Sequence, residues 1–150
     1  MSKKIAKKPL VSIIALNWNG KKFIDPLANS VRDQELRDIE IEFLFVDNDS
    51  SDGSVEYFKE HHKDENFRVV QNSGNYGYSK GNNLGIKVAR GDYILVINND
   101  LILDKNTVQA MYDDLVKEQA DLIVPKLMFL NKPGFINNAG SVLDTNNSWP

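Results

Sequence analysis

Four short polar clusters in this chain each follow an apolar run. Asn17-Trp18-Asn19-Gly20 follows VSIIAL, Asp47-Asn48-Asp49-Ser50 follows IEIEFLFV, Gln71 to Gly77 follows FRVV, and Asn98-Asn99-Asp100 follows YILVI. Their chemistry is that of carboxylates, amides and one aromatic ring. Asp100 can bind a hard divalent cation, which keeps open positions for substrate phosphates. Such an ion bridging a diphosphate withdraws charge from it and improves the nucleoside diphosphate as a leaving group. Trp18 can stack on a base whose edge Asp47 and Asn48 would hydrogen-bond. Taken singly, each feature also has a plainer use: Trp18 in packing, Asp47 and Asp52 as caps, Asn98-Asn99-Asp100 as a turn.

Other chemistries are disfavoured. The chain has no cysteine, which removes disulfides, thiolate zinc sites and cysteine nucleophiles together. His61 and His62 fall late on a helical stretch, far in sequence from every cluster, and are expected at the surface, which argues against Ser–His catalysis. No G-x-G-x-x-G follows the first apolar run, and neither a phosphate-loop G-x-x-x-x-G-K-[ST] nor a G-x-S-x-G elbow occurs. The net charge of −3 offers no basic stripe for nucleic acid.

The elements that must position these clusters alternate. Val11–Leu16 reads as a buried strand, continuous in apolar residues as parallel strands are. Phe23, Leu27 and Val31, with Ile24 and Ala28 beside them, form one helical stripe. Ile39–Val46 is a second strand, ending at Asp47. Asp52 is placed to cap a helix carrying Val55 and Phe58. Phe67–Val70 is a third strand. Ser79 is placed to cap a helix whose Leu84 and Val88 face the core and which Gly91 closes. Tyr93–Ile97 is a fourth strand, Asp104 caps a helix carrying Val108, Met111, Tyr112, Leu115 and Val116, and Asp121–Val124 is a fifth strand stopped by Pro125. Beyond Pro125 no clear element is expected. This alternation predicts an α/β fold, a mostly parallel sheet with helices on both faces. Ligands in such sheets bind outside the carboxyl ends of the strands, where all four polar clusters fall.

The chain is 150 residues long, 41% hydrophobic and 26% charged, an ordinary globular composition. Residues 1–8 read as a basic tail carrying Lys3, Lys4, Lys7 and Lys8, ahead of one domain over 9–150. The apolar run after the tail is too short for a signal peptide and lacks a small-residue cleavage site. The absence of cysteine fits a reducing compartment. The tail adds a weak attraction to anionic lipid, so a cytoplasmic location with peripheral contact at the inner membrane face is expected.

The segments VSIIALNWNG, FVDNDSSDGS, NSGNYGYSKGNNLGI, ARGDYILVINND and NNAG, in this order, resemble family 2 glycosyltransferases of the GT-A fold, most closely the rhamnosyltransferase-like branch. The resemblance covers about residues 9 to 143. It implies a Rossmann-like sheet and transfer, with inversion, of a sugar from a dTDP-, UDP- or GDP-sugar to a carbohydrate or lipid-linked acceptor, in cell-surface polysaccharide synthesis. The family's D-x-D motif falls on Asn98-Asn99-Asp100, so Asp100 would hold the Mg2+ or Mn2+ that grips the donor diphosphate, with an amide at the first acidic position. Nucleotide contacts would come from Asn17, Trp18, Asn19, Asp47 and Asn48, with Lys80 available to a phosphate and Asn98 and Asn99 beside it. Gly77, Asn82 and Asn83 would meet the donor sugar. The family's catalytic base lies on an acceptor-side segment, expected beyond Pro150. Asp144 is the only acidic residue after Pro125, and its context does not match that base. The resemblance therefore leaves two readings open: a transferase, or a silent nucleotide-sugar-binding module. A pyrophosphorylase-type nucleotidyltransferase fits less well, because NWNGKKF lacks a Gly-rich basic loop. A half-domain with an uncovered sheet edge would favour self-association.

Overall fold

The structure is a computed structural model describing residues 7–132 and 134–139. Asp144, Gly140 of NNAG and the tail up to Ala6 lie outside the described residues. The chain forms two compact units, residues 1–109 and 110–150.

In the first unit, β1 (Leu10–Asn17), β2 (Glu40–Asp47), β3 (Phe67–Gln71) and β4 (Tyr93–Asn98) form a sheet in the order β3-β2-β1-β4. Every pairing is parallel. Helix α1 (Ile24–Arg32) follows β1 after a short 3-10 turn at Lys21–Phe23, α2 (Ser54–His61) follows β2, and α3 (Gly77–Val88) follows β3. Successive side chains on a strand point to opposite faces, so β2 serves two helices. Phe43 and Phe45 meet α2, with the Phe45 and Phe58 rings stacked at 4.5 Å and Phe43 tilted to Phe58 at 6.0 Å. Ile14, Leu44 and Val46 form a second buried cluster on the other face, with Leu16, Val70 and Ala89 packed against it. Helix α3 covers that face. The expected parallel sheet with helices on both faces is present.

Helix α3 differs in detail from its sequence reading. It begins at Gly77, so Ser79 lies inside it and caps nothing, and it ends at Val88 with Ala89 as its cap. Its packed face is Gly81 and Gly85, whereas Val88 is 41% exposed and Leu84 is half-buried. A Cβ on Gly85 would stand 2.6 Å from a Val46 methyl and 3.0 Å from one of Ile14. The helix therefore lies against the sheet through absent side chains. Gly91 is needed for a similar reason, since a Cβ there would meet the Ser12 backbone N at 2.6 Å.

The amino end of the sheet is closed by a buried carboxylate. Glu42 on β2 is 1% exposed and accepts from Ser12 Oγ at 2.7 Å, from Arg90 N at 2.6 Å and from Arg68 Nη1 at 2.9 Å. Burial pushes its pKa up, but the hydrogen bonds from Arg90, Ser12 and Arg68 outweigh that and hold the carboxyl below its ordinary range.

His62, expected at the surface, is buried at 7% exposure. Its Nε2 lies 2.9 Å from Asp25 Oδ1 and its Nδ1 3.3 Å from Arg32 Nη2. A guanidinium can only donate, so Nδ1 is the acceptor and Nε2 carries the proton given to Asp25. Arg32 also forks onto Asp64 at 2.9 and 2.6 Å, fastening α1 to the segment after α2.

Helix α4 (Thr107–Lys117) starts later than expected. Asp104 turns the chain ahead of it, its carboxylate accepting from Asn106 N at 3.1 Å, while Gln34 Oε1 accepts from Val108 N at 3.0 Å. In the second unit no strand forms at Asp121–Val124. An isolated apolar run is not a strand without a ladder partner, and Pro125 withholds a donor there. The pair that does form is the antiparallel β5 (Leu127–Met128) and β6 (Ile136–Asn138), beyond Pro125, where no element was expected.

Candidate functional site

The chain winds from β1 outward to β2 and β3, then crosses back to place β4 on the other side of β1. The carboxyl ends of β1 and β4 therefore flank the point where the strand order reverses, the place where open α/β sheets bind ligands. Those two ends carry Asn17 to Gly20 and Asn98 to Asp100.

A buried layer of amides and one acid joins the tips. Asn17 is fully buried and has three side-chain partners. Its Nδ2 donates to Asp47 Oδ1 at 2.9 Å and to Ser50 Oγ at 3.1 Å, and its Oδ1 accepts from Asn99 Nδ2 at 2.9 Å. Asp47 is also fully buried, and its second oxygen takes the Ser50 N–H at 2.8 Å. Asn48, 1% exposed, belongs to the same layer on the side of β3. Its Oδ1 accepts from Asn72 Nδ2 at 2.8 Å. Asn17, Asp47 and Asn48 thus spend their polar atoms on the protein.

Above this layer the expected site residues are exposed. Trp18 is 58% exposed, so it is no core residue. Asn19 stands at φ 51, a left-handed conformation that asparagine tolerates, and its Oδ1 takes the Ser51 N–H at 2.9 Å. Asn98, Asp100, Lys80, Asn83 and Gly77 are exposed and Asn99 is half-buried. Lys80 Nζ sits 3.8 Å from the centre of the Tyr76 ring, a cation–π contact, and Tyr76 is tied by its hydroxyl to Ser73 Oγ at 2.8 Å. Lysine near a helix N-terminus works against the helix dipole, and α3 has no acid in its first turn to offset it. That end of α3 suits an anion.

Asn82 is set differently from Asn83. It is 5% exposed, donates to Tyr78 O at 3.0 Å, and its Oδ1 has no partner although buried. An orphaned buried acceptor is costly, and a hydroxyl donor is what would satisfy it.

Asp52 is not the helix cap expected of it. Gly53, at φ 77, occupies the cap position of α2. The Asp52 carboxylate instead accepts from Ser54 N at 3.1 Å, from the Ser54 hydroxyl, and from Lys21 N at 2.9 Å, so it joins the loop after β1 to the start of α2. Burial raises its pKa, and the bonds from Ser54 and Lys21 more than offset this, leaving it lowered.

Gly20, Ser50, Asn72 and Asn75 fall in the polar clusters read from sequence but carry no individual role there, and they build the site. Ser50 Oγ accepts from Asn19 N at 2.8 Å and from Asn17, which makes it the link between two tips. Short polar residues directly after a strand end were the available signal.

For a metal, no three His, Cys, Asp or Glu side chains cluster among the described residues. Asp100 is exposed at the end of β4 beside Asn98 and Asn99, side chains with oxygens of the kind a hard cation takes.

Comparison with known proteins gives one family. Glycosyltransferase GlyG of Streptococcus pneumoniae serotype 4 is 28% identical over 116 residues, which cover 77% of this chain and 38% of GlyG. The crystal structure of Staphylococcus aureus TarS 1-349 in complex with UDP matches with a TM-score of 0.66 at 26% identity, covering 73% of this chain and 32% of that one. The mannosyltransferase PcManGT from Pyrobaculum calidifontis, in complex with GDP-Man and Mn2+, shares the fold with a TM-score of 0.65 at 21% identity, over 73% of this chain and 33% of its own. The chain thus spans well under half the length of these relatives. The model of glycosyl transferase family 2 matches residues 12–142, and over that span this chain belongs to glycosyl transferase family 2.

Proposed function

We propose that this chain is the donor-binding portion of an inverting, metal-assisted glycosyltransferase that takes its sugar from a nucleotide diphosphate sugar. The observation that carries the reading is Trp18, a large aromatic exposed at the tip of β1 beside the reversal of strand order. Trp18 stacks on the base, and Asn17 and Asp47 form the floor that fixes the Trp18 loop. Lys80 and the N–H groups at the start of α3 take the diphosphate. Asn82 Oδ1 accepts from a donor hydroxyl, Asn83 stands ready for another, and Gly77 lets the donor approach the backbone. Asp100, with Asn98 and Asn99, holds the Mg2+ or Mn2+, which supplies charge withdrawal from the diphosphate. TarS in complex with UDP supports a nucleotide ligand at this family's site, and PcManGT with GDP-Man and Mn2+ supports a metal on this fold.

Within this reading the donor is a dTDP-, UDP- or GDP-sugar, with dTDP-rhamnose favoured by the branch resemblance, and the acceptor is a carbohydrate or lipid-linked glycan. Titrating the protein with these three classes of nucleotide sugar tests the reading, and failure to bind any of them would overturn it. A binding module without transfer is the second reading. It draws on the family's catalytic base, to which no described carboxylate at the strand tips corresponds. Product analysis after incubation with donor and acceptor separates the two.

The basic tail would hold the protein at the cytoplasmic membrane face. Lack of co-sedimentation with anionic vesicles would remove that part. No helix among the described residues is long and apolar enough to cross a membrane.

A further inference from the structure

Asn48 stands where family resemblance expects a contact to the nucleobase, yet its bonds run elsewhere. Its Nδ2 donates to Asn75 Oδ1 at 3.1 Å and to the Gly77 carbonyl at 3.2 Å, while its Oδ1 accepts from Asn72 at 2.8 Å. Asn75 Oδ1 also takes the Gly77 N–H at 3.0 Å. The N–H and the carbonyl of Gly77 are thereby both held, with the residue at φ 73, in a region that suits glycine. One turn further on, a Cβ on Gly81 would come within 3.0 Å of Asn48 Nδ2, so the amide occupies the space that this glycine leaves open.

An amide at this position both gives two protons and accepts one. A carboxylate of the same size would face the oxygens of Asn75 and Gly77 with no proton to give. Asn75 could turn its own amide to compensate, but Gly77 N–H would then lose its acceptor. A side chain that has given both protons cannot also donate to a base edge without releasing the loop before α3, and at 1% exposure Asn48 offers a base no open face.

We infer that Asn48 is a positioning residue: it does not read the nucleobase, but fixes Gly77 and the first turn of α3 and so sets where the donor diphosphate lies. The inference rests on the proposed donor site. It implies that base preference arises at residues other than Asn48.

The test uses Asn48→Ala and Asn75→Ala. Asn75 is exposed, so the second variant removes the same grip with little risk to folding. First, amide hydrogen exchange is followed in the nucleotide-free protein. Both variants are expected to expose the Gly77 N–H and the first turn of α3 to faster exchange, while β1 and β2 stay protected. Unchanged exchange there in both would overturn the inference, whether or not any nucleotide binds. Second, affinities are measured for UDP-, dTDP- and GDP-sugars and for the free nucleosides. Both variants are expected to weaken every nucleotide sugar that the wild type binds by a similar factor, about tenfold or more, and to leave the nucleosides little changed. A loss confined to one base, or shared by its free nucleoside, would make Asn48 a base contact and overturn the inference. Absence of binding by the wild type would count against the donor site itself, with the exchange measurement still deciding the role of Asn48.

Discussion

The Asn99 side chain donates to Asn17 Oδ1 at 2.9 Å, joining the tip of β4 to the tip of β1 across the reversal of strand order. Gly20 makes that bond possible, because a Cβ there would collide with both amides. Gly20→Ala should separate the two tips and leave buried Asn17 short of a partner. A loss of about 1–3 kcal/mol of stability is expected by urea unfolding, with weaker nucleotide binding. Unchanged stability would mean that the amides move aside at no cost.

Trp18 projects from the same loop without entering the core. Trp18→Ala should lower nucleotide affinity by about 1–3 kcal/mol, the range for stacking a base on an aromatic ring, and leave the unfolding midpoint close to wild type. Unaltered affinity in the folded variant would remove Trp18 from the site.

Asp52 ties the loop after β1 to α2 through Ser54 and Lys21. Asp52→Ala should cost roughly 1–3 kcal/mol of stability, as for donors on Ser54 and Lys21 left without their acceptor. Nucleotide affinity of the folded fraction should barely change. A large affinity loss at full stability would put Asp52 in contact with the ligand.

Asp100 is the acid at the tip of β4. Nucleoside diphosphate binding should strengthen when Mn2+ or Mg2+ is added, and Asp100→Asn should abolish that gain while preserving the fold, since the amide keeps the size without the charge. The free nucleoside should respond little, having no diphosphate to share the ion. Metal-independent binding by both proteins would end the assignment. The wild-type chain by itself should transfer sugar poorly, because a general base typically contributes about 10²–10⁴-fold and none is recognised among its tips.

Glu42 sets a pH dependence. Its folded pKa lies below the ordinary value, so its contribution to stability is present above the unfolded carboxylate range, about 4.3, and is lost as pH falls through the folded value. Asp25, Asp52 and Asp64 are lowered as well and act in the same direction. Glu42→Gln should cost roughly 3 kcal/mol at neutral pH and flatten the acid limb of a stability–pH curve. An acid limb as steep as that of wild type would assign the dependence to the three aspartates.

Strands β1 to β4 and helices α1 and α2 were legible because each is written in apolar residues at the right period. Helix α3 was legible as a helix but not in its orientation. Periodicity counts large apolar side chains, whereas this helix packs through Gly81 and Gly85, whose contribution is the space they leave. The β5–β6 pair is too short to carry a period, and its existence depends on a partner elsewhere in the chain. His62 was misplaced for a related reason: its partners Arg32 and Asp25 lie 30 and 37 residues away. At the site, residue types were readable and their direction was not. Whether Asn48 faces a ligand or Gly77 depends on Asn72 and Asn75, at the end of a different strand.

Helix α3 is held at three places. Asn48 grips its first residue, Leu16 and Val46 leave its middle no room for a Cβ, and Arg68 Nη2 donates to the Val88 carbonyl at 3.3 Å while Glu42 holds Arg90 just beyond. Twelve residues make a rod about 18 Å long. A rod clasped at both ends and closed against the sheet in its middle has little freedom to tilt or to slide. The ion cluster at the amino end of the sheet is thus the far anchor of a helix whose first turn carries Lys80.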